Sequence, residues 1–230
     1  ASTLGLLSVF IAMCLRPNAT ARRFPIGVFD VSDASQLPIL KANGFDSFET
    51  GLTDPASLEP IAQAAKKSGM KMLIFPMRLR ELRADQAKNW PVEAWYLVDE
   101  PDVHKISPEK LTEESHLIRA WDPKTPQTLV IGQGSAAQKF GHIGDILMLD
   151  WYPVPHLSLS SVGTQIQLAK VAIPTDKPLW MIVQAFNWSD APKADPKGIG
   201  RFPSHDEILF MSRLAIIEGA SGLYFYSLRK

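Results

Sequence analysis

Residues 99–102 read Asp99-Glu100-Pro101-Asp102 and follow directly on the apolar run Ala94 to Val98. Carboxylates this close repel one another, which raises the pKa of Glu100 and lets it hold a proton near neutrality. That is the requirement for a general acid. Further carboxylates stand where other apolar runs end: Asp30, Glu49 and Asp150. Gln133, Trp151, Tyr152, Gln184, Phe186, Trp188 and Tyr226 occupy equivalent places. Aromatic faces stack on sugar rings, and carboxylates and amides bind the hydroxyls in the ring plane. A phosphate site calls instead for Gly-rich turns and basic residues after the last two strands of a barrel, and neither is present.

Something must bring these residues to one rim. From Phe24 onward, short apolar segments alternate with longer ones of helical spacing, the pattern of βα units around a parallel sheet. Strands are expected at Pro25–Phe29, Phe45–Phe48, Lys71–Phe75, Ala94–Val98, Gln127–Ile131, Asp145–Leu149, Leu179–Val183 and Gly222–Tyr226. Helices are expected at Ala34–Asn43, from an Asp54 N-cap to Ser68, at Arg78–Lys88, from Ser107-Pro108 to Trp121, at Ser160–Ala172 and from a Ser204 cap to Glu218. A short helix is expected after strand five. Eight strands at this spacing predict an α/β fold, a (β/α)8 barrel forming one compact domain over residues 24–230. A doubly wound sheet would show fewer units and a Gly-rich turn after the first strand. The long stretch Asn187–Pro203 is of a length that goes with a function, such as covering a substrate.

Lys and Arg number 24, as do Asp and Glu, so no basic field exists to attract nucleic acid. With Cys14 as the single cysteine, neither an internal disulfide nor a cysteine-based zinc site can form. Residues 1–23 contain the apolar run Leu4–Leu15, too short to span a bilayer comfortably, followed by the small residues Ala19 and Ala21. This reads as a signal peptide or N-terminal anchor and implies a secreted or periplasmic protein. A buried N-terminal helix is the alternative.

Trp95 to Pro101 resembles the strand-four acid/base signature of (β/α)8 glycoside hydrolases, in which the proton donor follows that strand. Asp150-Trp151-Tyr152-Pro153 and Pro178 to Gln184 are similar to strands six and seven of such families. The resemblance implies hydrolysis of glycosidic bonds in oligo- or polysaccharides, without a cofactor and with Glu100 as acid/base. Two departures bear on mechanism. Asp99 stands where the largest clan has Asn, and Gln184 stands where its nucleophilic Glu ends strand seven. An amide cannot attack an anomeric carbon as a carboxylate does.

Three routes follow. Glu100 works with a second carboxylate (Asp150, Glu49 or Asp30), about 5 Å away for retention or roughly 6.5–9.5 Å for inversion. Alternatively Asp99 orients a 2-acetamido group in a substrate-assisted reaction, or the barrel binds sugar without turnover. A divalent metal held by Asp30, Glu49, Glu100 and Asp150 is a different class of enzyme. The five histidines show no ligand spacing to strengthen it.

Overall fold

The computed structural model describes residues 23–190, 195 and 197–228. The expected export segment with Cys14, Ala19 and Ala21 lies outside the described residues, as does part of the long stretch 187–203. Eight strands close into a barrel in sequence order: β1 Ile26–Val28, β2 Ser47–Glu49, β3 Lys71–Ile74, β4 Val92–Tyr96, β5 Gln127–Ile131, β6 Ile146–Trp151, β7 Leu179–Gln184 and β8 Leu223–Tyr226. All neighbours pair in parallel, and β1 bonds to both β2 and β8, so no sheet edge is left open. Helices α1 Leu37–Ala42, α2 Pro55–Ser68, α3 Met77–Glu81, α4 Pro108–Trp121, α5 Ala137–Phe140, α6 Ser161–Lys170 and α7 His205–Ile217 occupy the connections. Among the described residues, no helix is long and apolar enough to cross a membrane.

Local chemistry sets most helix starts as the sequence implies. Asp54 accepts from Ser57 N, Ser107 from Lys110 N and Ser204 from Glu207 N, each satisfying an otherwise free donor of the first turn. One expected helix is broken. The segment expected as Arg78–Lys88 ends its α-turns at Glu81, reverses through Arg83 at φ 53°, and resumes as a 3-10 turn over Asp85–Asn89. The reversal buries Ala84, Ala87 and Trp90, and lets Asp85 accept from Trp121 Nε1 at 2.9 Å. The first expected helix likewise splits, into a 3-10 turn at Ala34–Gln36 and α1.

The strands sort their side chains with period two, and this positions the site. Leu129, Ile131, Leu147, Leu149, Met181 and Val183 pack outward against the helices. Ala94, Tyr96, Val130, Met148, Trp180, Ile182 and Tyr224 fill the barrel interior, with Phe29 and Leu73. Tyr224 crosses the barrel to Ser47, their hydroxyls 2.6 Å apart. It fits because Gly27, its register partner, has no side chain. Continuing the inward parity past Met148, Ile182 and Tyr224 gives Asp150, Gln184 and Tyr226, and past Ser47 gives Glu49. Those residues therefore sit at the C-terminal mouth or just beneath it.

Candidate active site

A cleft of about 500 Å³ opens at that mouth, lined by residues that include Asp99, Glu100, Asp150, Tyr152, Phe186, Trp188 and Tyr226. Glu100 is held there by a tight turn. Its φ of 39° is unusual for a residue with a side chain, and its carbonyl accepts from Val103 N and His104 N at 3.1 and 2.9 Å. Such a conformation costs on the order of 1–2 kcal/mol and persists only where surroundings fix it. They do: Asp102 Oδ1 accepts from Gly132 N at 3.0 Å, tying the Glu100 turn to the end of β5.

Glu100 and Asp150 form the chemical centre. Both line the cleft and interact electrostatically with each other, and Asp150 is only 6% exposed. Burial, first, and the Asp99 charge, second, raise the Glu100 pKa, with Asp102 adding to them. Asp150 is pushed well above the carboxylate range by burial and then by the Glu100 and Asp99 charges. Two interacting carboxyls cannot both ionise cheaply, so the pair titrates as a unit and gives up its proton above the ordinary carboxylate range. Tyr152 interacts with Asp150, and its own pKa is raised by burial and by that carboxyl. Asp99 accepts from Tyr96 Oη at 2.5 Å, which orients it beside the pair.

The aromatic wall is one cluster. Tyr152 stacks on Tyr226 at 5.8 Å and meets Phe186 edge-on at 5.1 Å, while Phe186 meets Trp188 at 4.9 Å. These rings present apolar faces close to the carboxyl pair.

Other expected site residues fall elsewhere. Asp30 and Glu49 do not line the cleft. Glu49 is 4% exposed, and its carboxylate accepts from the main-chain N of Asp30 at 3.2 Å, which engages it outside the cleft. Gln133 is exposed on a neighbouring surface hollow with Pro101 and Asp102. Trp151 follows the outward parity and donates from Nε1 to Ser161 Oγ at 2.8 Å, bordering a smaller cavity instead of the main cleft. Gln184 has the inward parity but is fully buried. Its amide accepts from Val154 N at 2.9 Å and donates to the carbonyls of Val154 and Phe186 at 2.8 and 3.3 Å. It clamps the loop after β6 and does not face the cleft.

Six cleft residues are not among the site residues expected from the sequence: Phe29, Ile182, Asn187, Asp190, Phe202 and Ser227. Phe29 was legible in principle, since it shares the inward parity of Gly27. Asp190 and Phe202 belong to the long segment after β7, where no periodicity indicates which side chains turn inward. Among the described residues, no three His, Cys, Asp or Glu side chains are grouped to hold a metal ion.

No protein-family model matches the chain, and no curated protein matches it in sequence. Solved structures do match in shape. A thermostable mutant of a xylanase from Cellvibrio japonicus superposes over 92% of this chain and 89% of its own, with a TM-score of 0.59 and 12% identity. An endo-1,4-β-D-mannanase from Thermotoga petrophila covers 89% of this chain and 87% of its own, with a TM-score of 0.55 and 12% identity. A β-glucuronidase from an uncultured Clostridium covers 88% of this chain at a TM-score of 0.61 and 17% identity. This chain spans only 43% of that enzyme's length. The chain therefore has the (β/α)8 fold that these glycoside hydrolases share.

Proposed function

We propose that the protein is a glycoside hydrolase whose Glu100–Asp150 carboxyl pair donates a proton to the departing glycosidic oxygen. The observation that carries this reading is an interacting carboxyl pair, its pKa values raised by burial and neighbouring charge, set in an aromatic-lined cleft at the C-terminal mouth of the barrel. In this fold that mouth is where reactions take place. An acid that keeps its proton at neutral pH is what a glycosidic leaving group needs. Glu100 is the more exposed partner and reaches the substrate; Asp150, buried behind it, holds the shared proton in place.

The pair acts as one acidic unit, because burial and mutual interaction link the titration of its two carboxyls. A direct displacement therefore draws its second carboxylate from the other acids on the cleft. Those are Asp99 and Asp190, not Asp30 or Glu49. Asp99, adjacent to Glu100, suits assistance by a 2-acetamido group; Asp190 comes from the loop after β7, three strands round the barrel from β4, and suits attack from another side.

Hydrolysis of a panel of aryl glycosides, N-acetylhexosaminides included, by the wild type and by Glu100→Gln tests the proposal. Turnover that falls at least a hundredfold in the variant supports it. Equal turnover in both removes Glu100 from the proton chemistry. Sugar binding without turnover would make the barrel a non-catalytic receptor. Export directed by residues 1–23 is a separate proposal, checked by the N-terminal sequence of the protein recovered from outside the cytoplasm.

A further inference from the structure

The end of the barrel away from the cleft holds a cavity of about 750 Å³. Its wall is built where the chain enters the strands: Phe24 before β1, Pro126 before β5, Lys177 and Pro178 before β7, and Gly219 before β8. Lys170, the last residue of α6, is also part of it. Chemistry in this fold belongs to the opposite mouth, so the glycosidase reading makes no use of this space.

Charge on this wall is not balanced group by group. Arg23 pairs with two carboxylates, Glu93 at 2.8 Å and Asp46 at 3.2 Å. Lys170 and Lys177 are held by neutral carbonyls instead. Lys177 Nζ donates to the carbonyls of Ile143 and Gly144, each at 2.8 Å, and Lys170 Nζ donates to that of Glu218 at 3.0 Å. The Lys170 ammonium lies close over Gly219, where a β-carbon would stand 2.4 Å from it. Among the described residues, neither lysine forms an ion pair with a carboxylate. An ammonium carries three donors, so one N–H of Lys177 and two of Lys170 remain for a further acceptor. Burial pulls the Lys177 pKa down to about 8 against the attraction of Asp145, as it does for a cation short of a close counter-ion.

The other acid on the wall is Asp176, and much of the remainder is apolar: Phe24, Ile173, Pro126, Pro174 and Pro178. A space of this size suits a small organic molecule. Residues 1–22, which lead into Arg23, contain no Asp or Glu, so their side chains cannot supply an anion.

We propose that this cavity binds a small organic anion, its carboxylate or phosphate paired with Lys177 and its apolar body against Phe24 and the prolines. Lys170 adds a second positive charge to the same wall. The site is independent of the glycosidase reading.

Titration calorimetry of the full chain at about pH 7, with benzoate, phenyl phosphate and uncharged benzamide, tests this. Expected is saturable binding of at least one anion with a Kd of about 1 mM or tighter, and binding of benzamide weaker by about tenfold or more. Preference for benzoate identifies a carboxylate ligand, and preference for phenyl phosphate a phosphate ester. Lys177→Met should weaken the preferred anion by about tenfold, and Lys170→Met by about threefold. At about pH 9, benzoate binding to the wild type should also take up a proton, because the anion restores the charge on Lys177. Buffers of different ionisation enthalpy read that uptake, and it stands as a test even if Lys177→Met does not fold. Benzamide binding as tightly as the anions, affinity unchanged in both folded variants, or benzoate binding without proton uptake overturns the proposal. So does the absence of binding by either anion.

Discussion

Glu100 has room at the barrel mouth because residue 132 is glycine: a β-carbon at Gly132 would stand 2.9 Å from Glu100 Oε1. The same glycine donates its N–H to Asp102, so backbone and empty side-chain space together fix the acid. Gly132→Ala displaces side-chain atoms of Glu100 and Val103 and not the backbone. It should therefore leave the melting temperature nearly unchanged while lowering kcat/KM about tenfold or more, some 1.4 kcal/mol of transition-state stabilisation. Thermal melts and steady-state kinetics on the same preparation check it. A variant as active as the wild type would mean that Glu100 does not need its present position.

Asp99 raises the pKa of both members of the carboxyl pair through its charge. Asp99→Asn removes the charge and keeps an acceptor for Tyr96. The pair then loses its proton at lower pH, so the alkaline limb of kcat/KM should move toward acid. The pH–rate profiles of the two proteins decide this, and an alkaline limb that stays put or moves upward contradicts the electrostatic account.

Gln184→Glu restores the carboxylate that the sequence resemblance leads one to look for at the end of β7, yet it should restore no chemistry. The side chain is fully buried and already bonded to Val154 and Phe186. A carboxylate there loses the donors to two carbonyls and buries a charge, costing on the order of 3 kcal/mol. Denaturant unfolding measures the loss; enhanced turnover in the variant would show that position 184 reaches the substrate.

Inside the barrel, Gly27→Ala would set a β-carbon 2.1 Å from the Tyr224 ring. The ring is buried, stacked on Trp180 and bonded to Ser47, so it has nowhere to go. Overpacking of this kind costs about 3 kcal/mol, or roughly 6–12 °C in Tm for a domain of this size. Differential scanning calorimetry tests the figure.

At the opposite end of the barrel, partial burial lowers the Lys177 pKa to about 8, while its ammonium donates to the carbonyls of Ile143 and Gly144 at 2.8 Å. An unfolded lysine titrates near about 10.4. Between those values the unfolded chain binds more protons, so this group makes stability rise with pH from about 8 to about 10.4. Urea unfolding across that window should show a positive slope that Lys177→Met flattens. An equal slope in both proteins would place its origin elsewhere.

Much of the scaffold was legible because short-range chemistry dictates it. The Asp54, Ser107 and Ser204 caps and the β5 boundaries follow from a few adjacent residues, and the structure has them where they were expected. The Arg78–Lys88 segment was not legible: its charges suggest one helix, but burial of Ala84, Ala87 and Trp90 breaks it. The site divides along the same line. Glu100, Asp99, Asp150, Tyr152, Phe186, Trp188 and Tyr226 meet at one cleft as their places after the strands implied. Asp30, Glu49, Gln133, Trp151 and Gln184 carry the same chemistry and stand at the same kind of position, yet other parts of the fold claim them or they face away from that cleft.

By itself the sequence determined the eightfold alternation, and with it the rim on which the carboxylates and aromatics collect, because strand periodicity and helix caps are local properties. Only the tertiary structure decided which of those side chains share a cleft and that Glu100 and Asp150 raise their pKa values there together. Those outcomes depend on burial and on distances between strands far apart in the chain, and Coulomb repulsion and desolvation act through space, whatever the order of the residues.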